Sequence, residues 1–162
     1  MNTITTFLSN PSIEIYLKLF TALCLGMSLG IERAIAGKTA GMRTYGLVTM
    51  GSALFVIIGV FAGGGFGLGG SYVESLRLTG QIISGIGFIG AGLIFIKGGN
   101  ISGVTTAAGI WVAAGIGMAI GYGLYSLATV ATLFAIFVFT VLWYVENKLK
   151  IFAHSEGIDS EN

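Results

Sequence analysis

Five apolar spans occupy most of this 162-residue chain. When helical, about 20 apolar residues cross the hydrocarbon core of a bilayer. Helix is the expected state, because it satisfies its own backbone hydrogen bonds and the spans lack the alternation of barrel strands. The predicted spans are Ile15–Ile31, Tyr45–Ala62, Leu78–Ile96, Val104–Tyr122 and Leu124–Val145.

The charge content supports a bilayer as the surrounding solvent. Only 9% of the residues are charged and 54% are hydrophobic, whereas a soluble domain carries about 25% charge. We therefore predict an all-α, polytopic transmembrane bundle of five spans, whose first span is retained because no basic segment or cleavage site accompanies it. Residues 1–150 form the membrane domain, and residues 151–162 are expected to be a disordered cytoplasmic tail.

Basic residues set the expected orientation of the bundle. Loops on the cytoplasmic side retain Lys and Arg, and an outside N-terminus with an inside C-terminus places six cations inside and two outside. The inside set is Arg33, Lys38, Arg43, Lys97, Lys148 and Lys150, and the outside set is Lys18 and Arg77. The formal net charge of +1 gives no basis for nucleic-acid binding.

Small residues recur at helical spacing within the spans. Such stripes allow helix backbones to approach closely in lipid. They predict helix packing through Gly26, Gly30, Gly109, Gly117 and Gly121. Alternatively, the same stripes could line a homodimer contact or a narrow path.

Polar residues at the span ends form the candidate functional cluster, because ionisable groups near lipid are costly. At the first inner connection, Glu32 and Arg33 precede Arg43 and Thr44. A Glu32–Arg43 ion pair across this hairpin is one interpretation, and a simple interfacial anchor is the other.

The third span begins with a second polar group. Glu74 and Arg77 are three residues apart and can pair on a helix, and Gln81 and Ser84 continue that face inward. This stripe could conduct an ion, bind a partner helix or form a buried hydrogen-bond network.

Further polar residues, Asn100, Thr105 and Thr106, precede or open the fourth span. The threonines can cap the helix. Alternatively, the backbone amides at the start of this helix could bind an anion, or the carbonyl oxygens of the loop could bind a cation.

No catalytic site can be assembled from the sequence, so we expect no enzyme activity. His154 is the only histidine and lies in a polar tail, and the single Cys24 has no partner in the chain. No nucleotide-binding glycine motif occurs in the strand-to-helix context that it requires.

Three segments together resemble the MgtC/SapB family of bacterial membrane proteins. "GIERAIAGKTAGMRTYGLVTMGSALF", "RLTGQIISGIGFIGAGLIF" and "GVTTAAGIWVAAGIGMAIGYG" are similar to its three blocks and occur in the same order. Glu74 takes the acidic position that the family usually fills with Asp-Pro, and Ser75 replaces the proline. The resemblance implies a bacterial inner-membrane protein of Mg²⁺ homeostasis, in a short form without the cytoplasmic domain of longer, virulence-associated members.

Two main functions follow from the residues and the resemblance together, and an assembly or lipid-contact protein without a ligand is a minor third. The first is a non-enzymatic regulator that contacts a membrane partner, such as an ATP synthase or cation-pump subunit, and holds no cofactor. The second is a channel or carrier for Mg²⁺ or another cation, in which Glu32 and Glu74 are the candidate metal ligands. Mg²⁺ sheds its water reluctantly, so one subunit with so few acids is poorly equipped unless a homodimer doubles them.

Overall fold

A computed structural model describes residues 11–64 and 72–155 of the chain. Within these residues, the fold is a bundle of helices with one short β-hairpin. The elements are α1 (Pro11–Ile35), α2 (Met42–Ala62), α3 (Tyr72–Gly92), β1 (Phe95–Lys97), β2 (Asn100–Ser102), α4 (Val104–Gly121), α5 (Tyr125–Phe137), a π-helix (Val138–Leu142) and α6 (Trp143–Ser155).

The predicted all-α, polytopic bundle is confirmed. Four helical stretches in the described chain are long and apolar enough to cross a membrane: Ser12–Ile35, Met42–Ala62, Val104–Gly121 and Tyr125–Leu149. The third predicted span is also a helix, α3, but it is not among these four. Its first half carries Arg77 and Gln81, which lower its apolar character.

The third helix ends earlier than the sequence analysis predicts. Instead of continuing to Ile96, α3 stops at Gly92, and β1 pairs antiparallel with β2. Phe95 and Ile96, predicted as the end of the third span, therefore lie in a strand. Gly98 and Gly99 form the turn with φ of 59° and 83°, which a two-residue hairpin turn of this kind requires. Gly103, with φ of 90°, then joins the hairpin to α4.

The last helix extends further than predicted. α6 continues to Ser155, so residues 151–155 of the predicted disordered tail are helical. Neither Gly nor Pro lies between Val145 and Ser155 to end the helix. Residues 156–162 of the predicted tail, and residues 65–71 between α2 and α3, lie outside the described residues.

Helix α2 is central and packs against α1, α3 and α4. Its buried face includes Tyr45, Thr49 and Ala53, all fully buried. The Thr49 hydroxyl donates to the Tyr45 carbonyl at 2.9 Å, so this polar group is satisfied within its own helix. Among the described residues, no buried side-chain nitrogen or oxygen lacks a hydrogen-bond partner.

The five glycines predicted to pack helices all lie against another part of the same chain. A Cβ atom at Gly26 would lie 2.5 Å from Thr49 Oγ1, and one at Gly121 would lie 2.7 Å from Val56 Cβ. Gly30 faces Met42, Gly109 faces Tyr45, and Gly117 faces the Thr49 carbonyl oxygen. These glycines are thus used within one chain, where only a hydrogen atom fits between the backbones.

Replacing Gly117 by Ala should destabilise the bundle by about 1–3 kcal/mol, because the added Cβ meets the backbone of α2. Gly115→Ala is the matched control, since nothing lies within 4 Å of a Cβ there. It should be neutral or stabilise the helix by up to about 1 kcal/mol. Unfolding in detergent micelles checks both, and equal stability of the two variants would contradict the packing described here.

Candidate functional site

A cavity of about 740 Å³ opens at the end of the bundle that the charge distribution predicts to be cytoplasmic. We call it the polar cavity. The end of α1, the loop after it, the hairpin, the start of α4, the π-helix and α6 form its wall. Its polar side chains are Arg33, Lys38, Thr39, Ser102, Thr105, Thr106, Glu146 and Asn147, and its larger apolar ones are Phe95, Ile101, Val104, Val138, Phe139, Leu142 and Trp143.

Arg33 is the most firmly held charge in this wall. It is only 2% exposed, its Nε donates to the Glu32 carboxylate, and its Nη2 donates to the Phe139 carbonyl at 3.2 Å. The guanidinium carbon also lies 3.9 Å from the centre of the Phe139 ring. A buried charge is tolerated only when it is paired and hydrogen-bonded, and these contacts meet that condition.

The Phe139 carbonyl that accepts this bond belongs to the π-helix. Such wider turns interrupt the α-helical pattern and occur frequently at functional sites. Here the turn lies between two stretches of α-helix, α5 and α6, and presents both a carbonyl and a ring to Arg33. The end of α1 is thereby joined to the last helix of the bundle.

Tyr45 supports this contact from the core side. Its ring meets Phe139 edge to face, with centroids 6.4 Å apart and planes at 87°. Its hydroxyl donates to the Thr106 carbonyl at 3.4 Å, and Gly109 leaves the space that the hydroxyl occupies. Arg33, Phe139 and Tyr45 therefore form one contiguous cluster between the polar cavity and the core.

The predicted ion pair between Glu32 and Arg43 is wrong. In the described chain, Glu32 pairs with its neighbour Arg33, whereas Arg43 is exposed at the start of α2, beside the half-buried Thr44. The reason is burial, since an unpaired buried cation costs far more than an exposed one. The Glu32 carboxylate therefore pairs with the buried Arg33, and Arg43 stays exposed.

The remaining predicted site residues do not converge on one place. Thr105 and Thr106 line the polar cavity with Arg33, and Asn100 is exposed in the hairpin. The exposed surface of α3 carries Arg77, Gln81 and Ser84. The side chain of Glu74 lies outside the described set.

Glu32 and Glu74 are far apart along the fold. Glu32 lies at the cavity end of α1, whereas position 74 lies near the start of α3, at the other end of the bundle. Among the side chains that the structure describes, no three His, Cys, Asp or Glu residues cluster as a metal site would require. Positions 32 and 74 thus lie at opposite ends of one subunit.

Sequence reasoning missed Phe139, Trp143, Glu146 and Asn147 as residues of this site. Nothing in the sequence marks Phe139 as a site residue, because it lies in an apolar run and acts partly through its backbone carbonyl. Glu146 and Asn147 are the first polar pair after the last span. That position could have indicated their place at the same membrane border as Arg33.

Residues 19–148 match the MgtC family. The chain belongs to the MgtC family. The resemblance drawn from the three sequence blocks is therefore confirmed, and the apolar helices agree with a membrane protein. No solved structure matches the chain significantly.

Two curated relatives each align with about three quarters of the chain. This chain is 40% identical over 132 residues to "Putative magnesium transporter YhiD" of Escherichia coli (strain K12), and the alignment covers 79% of this chain and 60% of the relative. It is 42% identical over 121 residues to "Protein MgtC" of Brucella abortus (strain 2308), covering 75% and 48%. The matched part therefore spans about half to three fifths of these two relatives.

Arg33→Gln should destabilise the protein by about 3 kcal/mol, because it leaves Glu32 without its cation and breaks the contact with the Phe139 ring. Arg43→Gln is the control, because Arg43 is exposed, and its effect should stay within about 0.5 kcal/mol. Unfolding in detergent measures both. Similar values for the two variants would show that the Arg33 cluster does not hold the helices together.

Proposed function

We propose that this MgtC-family protein is a non-enzymatic regulator of Mg²⁺ homeostasis in the bacterial inner membrane. It supports adaptation to low Mg²⁺ by contacting a larger membrane complex, such as ATP synthase or a cation pump. The family match and the names of its relatives support the link to Mg²⁺. The surface of the bundle supports the mode of action.

The observation that carries the proposal is an apolar groove between α2 and α3, which we call the α2–α3 groove. It encloses about 540 Å³, and its residues are Leu47, Val48, Gly51, Ser52, Phe55, Ile58, Leu78, Gln81, Ile82, Gly85, Ile86 and Ile89. Nothing lies within 4 Å of a Cβ placed at Gly51 or Gly85. These two glycines leave space that the chain itself does not fill.

Such a groove suits a transmembrane helix of a partner. In lipid, helices associate through close packing at small residues and through polar side chains that bond across the contact. The two glycines supply the close approach, and Gln81 supplies an amide that can donate and accept. The buried glycines of the core cannot serve this role, because α1, α2 and α4 already use them.

Direct transport is less well supported by the geometry. Between α2 and α4, Gly117 meets the Thr49 backbone and Gly121 meets Val56, which leaves no room for a hydrated ion at that contact. At the polar cavity, Arg33 and Lys38 oppose a divalent cation. A carrier would need its path elsewhere, for example between two subunits.

Transport of Mg²⁺ or another cation is nevertheless the second candidate, because the name of the Escherichia coli relative refers to magnesium transport. A homodimer would bring two copies of Glu32 and Glu74 to the assembly. That arrangement would increase the carboxylates available to an ion that keeps several of its waters.

The partner-contact proposal predicts that Gly85→Leu reduces co-purification of ATP synthase subunits with the tagged protein, because the side chain fills the α2–α3 groove. Gly87→Leu is the matched control. It lies two positions further along α3, about 200° around the helix, and also faces open space. Equal recovery with both variants, or none with the unmodified protein, would contradict the proposed contact.

The flux of Mg²⁺ into liposomes separates the two candidates. With the purified protein in the bilayer and a Mg²⁺-sensitive dye inside, we expect no more flux than in empty liposomes. Flux that appears with the unmodified protein and is lost in a folded Glu32→Gln variant would favour the carrier. Thermal unfolding of that variant confirms that any loss is not a loss of fold.

A further inference from the structure

We propose that the polar cavity binds a phosphate group carried by an anionic ligand. This inference goes beyond the proposed function and does not depend on it. The cavity encloses about 740 Å³ and carries two cations on its wall, Arg33 and Lys38. The source of the phosphate is either an anionic phospholipid headgroup at the membrane border or phosphate free in solution.

Arg33 places a fixed guanidinium in the cavity wall. Its contacts with Glu32 and Phe139 hold the guanidinium in one position, so little side-chain entropy is lost when a ligand binds. Glu32 offsets part of its charge, and the exposed Lys38 adds a second cation on the loop after α1. A rigid guanidinium and an exposed ammonium together suit a phosphate, which accepts several hydrogen bonds at once.

The start of α4 adds donors beside these cations. Ser102, Thr105 and Thr106 line the same cavity with hydroxyl groups. Gly103, the residue before the 18-residue helix, has no side chain to cap the first turn. The positive end of the helix therefore acts in the same direction as Arg33 and Lys38.

The apolar part of the wall indicates where the rest of an amphipathic ligand would lie. Val138, Leu142 and Trp143 line the cavity on the side of the last helix, and Phe95 and Ile101 line it from the hairpin. Basic pockets between helices at the cytoplasmic border are typical of sites for anionic lipid headgroups. The combination of cations and apolar side chains fits a phospholipid as well as a free anion.

Glu146 is the one acid among the side chains that line the cavity in the described residues, and Asn147 follows it on α6. Its carboxylate opposes an anion, so its removal should strengthen binding. A divalent cation would show the reverse dependence on these charges. The effects of replacing Lys38 and Glu146 therefore show whether the bound ligand is an anion or a cation.

Fluorescence of Trp143 provides the assay, because this side chain lines the cavity. Trp111, the other tryptophan, is replaced by Phe so that Trp143 alone reports. The purified full chain in neutral detergent is titrated with sodium phosphate or with short-chain phosphatidylglycerol. Sodium chloride at matched ionic strength and short-chain phosphatidylcholine are the controls.

We expect a saturable change in Trp143 emission with at least one anionic probe. Lys38→Gln should weaken that binding about tenfold, the value of one charge-assisted hydrogen bond. Lys148→Gln removes the same charge from α6 outside the cavity wall and should leave the affinity unchanged. Glu146→Gln should strengthen it.

A response to both anionic probes, or to phosphate alone, supports a free phosphate ligand, and a response to phosphatidylglycerol alone supports a lipid. The absence of a saturable response beyond the chloride control would overturn the proposal. Equal responses to phosphatidylglycerol and phosphatidylcholine, or equal effects of Lys38→Gln and Lys148→Gln, would also overturn it. None of these outcomes depends on whether ATP synthase co-purifies.

Discussion

The contact of Thr49 with two glycines holds the centre of this bundle together. Gly26 of α1 meets its hydroxyl, and Gly117 of α4 meets its carbonyl oxygen. Because the hydroxyl bonds to the Tyr45 carbonyl within α2, the Thr49 side chain is satisfied between the three helices. Lipid provides no hydrophobic force to join helices, so close packing of this kind has to supply the stability.

Because the helices pack closely at the centre, the candidate sites lie at the ends and on the outer surface of the bundle. At the predicted cytoplasmic end, Arg33 joins α1 to the π-helix and also forms part of the polar cavity wall. On the outer surface, two glycines of the α2–α3 groove, Gly51 and Gly85, face open space. One chain thus uses small residues in two ways, inside for its own packing and outside for the proposed partner.

Much of the fold could be predicted from the sequence, because hydrocarbon imposes helices on long apolar spans. The end of α3 at Gly92 was not predicted, since the apolar run continues to Ile96 and only the Gly98–Gly99 turn reveals the hairpin. The contact between Arg33 and Phe139 also could not be predicted from the sequence. Phe139 lies 106 residues away and accepts through a backbone carbonyl, which every residue offers.

The reactivity of a cysteine at position 49 tests most directly whether the centre of the bundle excludes water. Thr49 is fully buried and lies against Gly117, whereas Ser102 lines the polar cavity. In a Cys24→Ala background, a charged methanethiosulfonate reagent should modify the Ser102→Cys protein quickly and the Thr49→Cys protein far more slowly. Equal rates would reveal a water-filled path between α2 and α4 and would contradict the closed bundle.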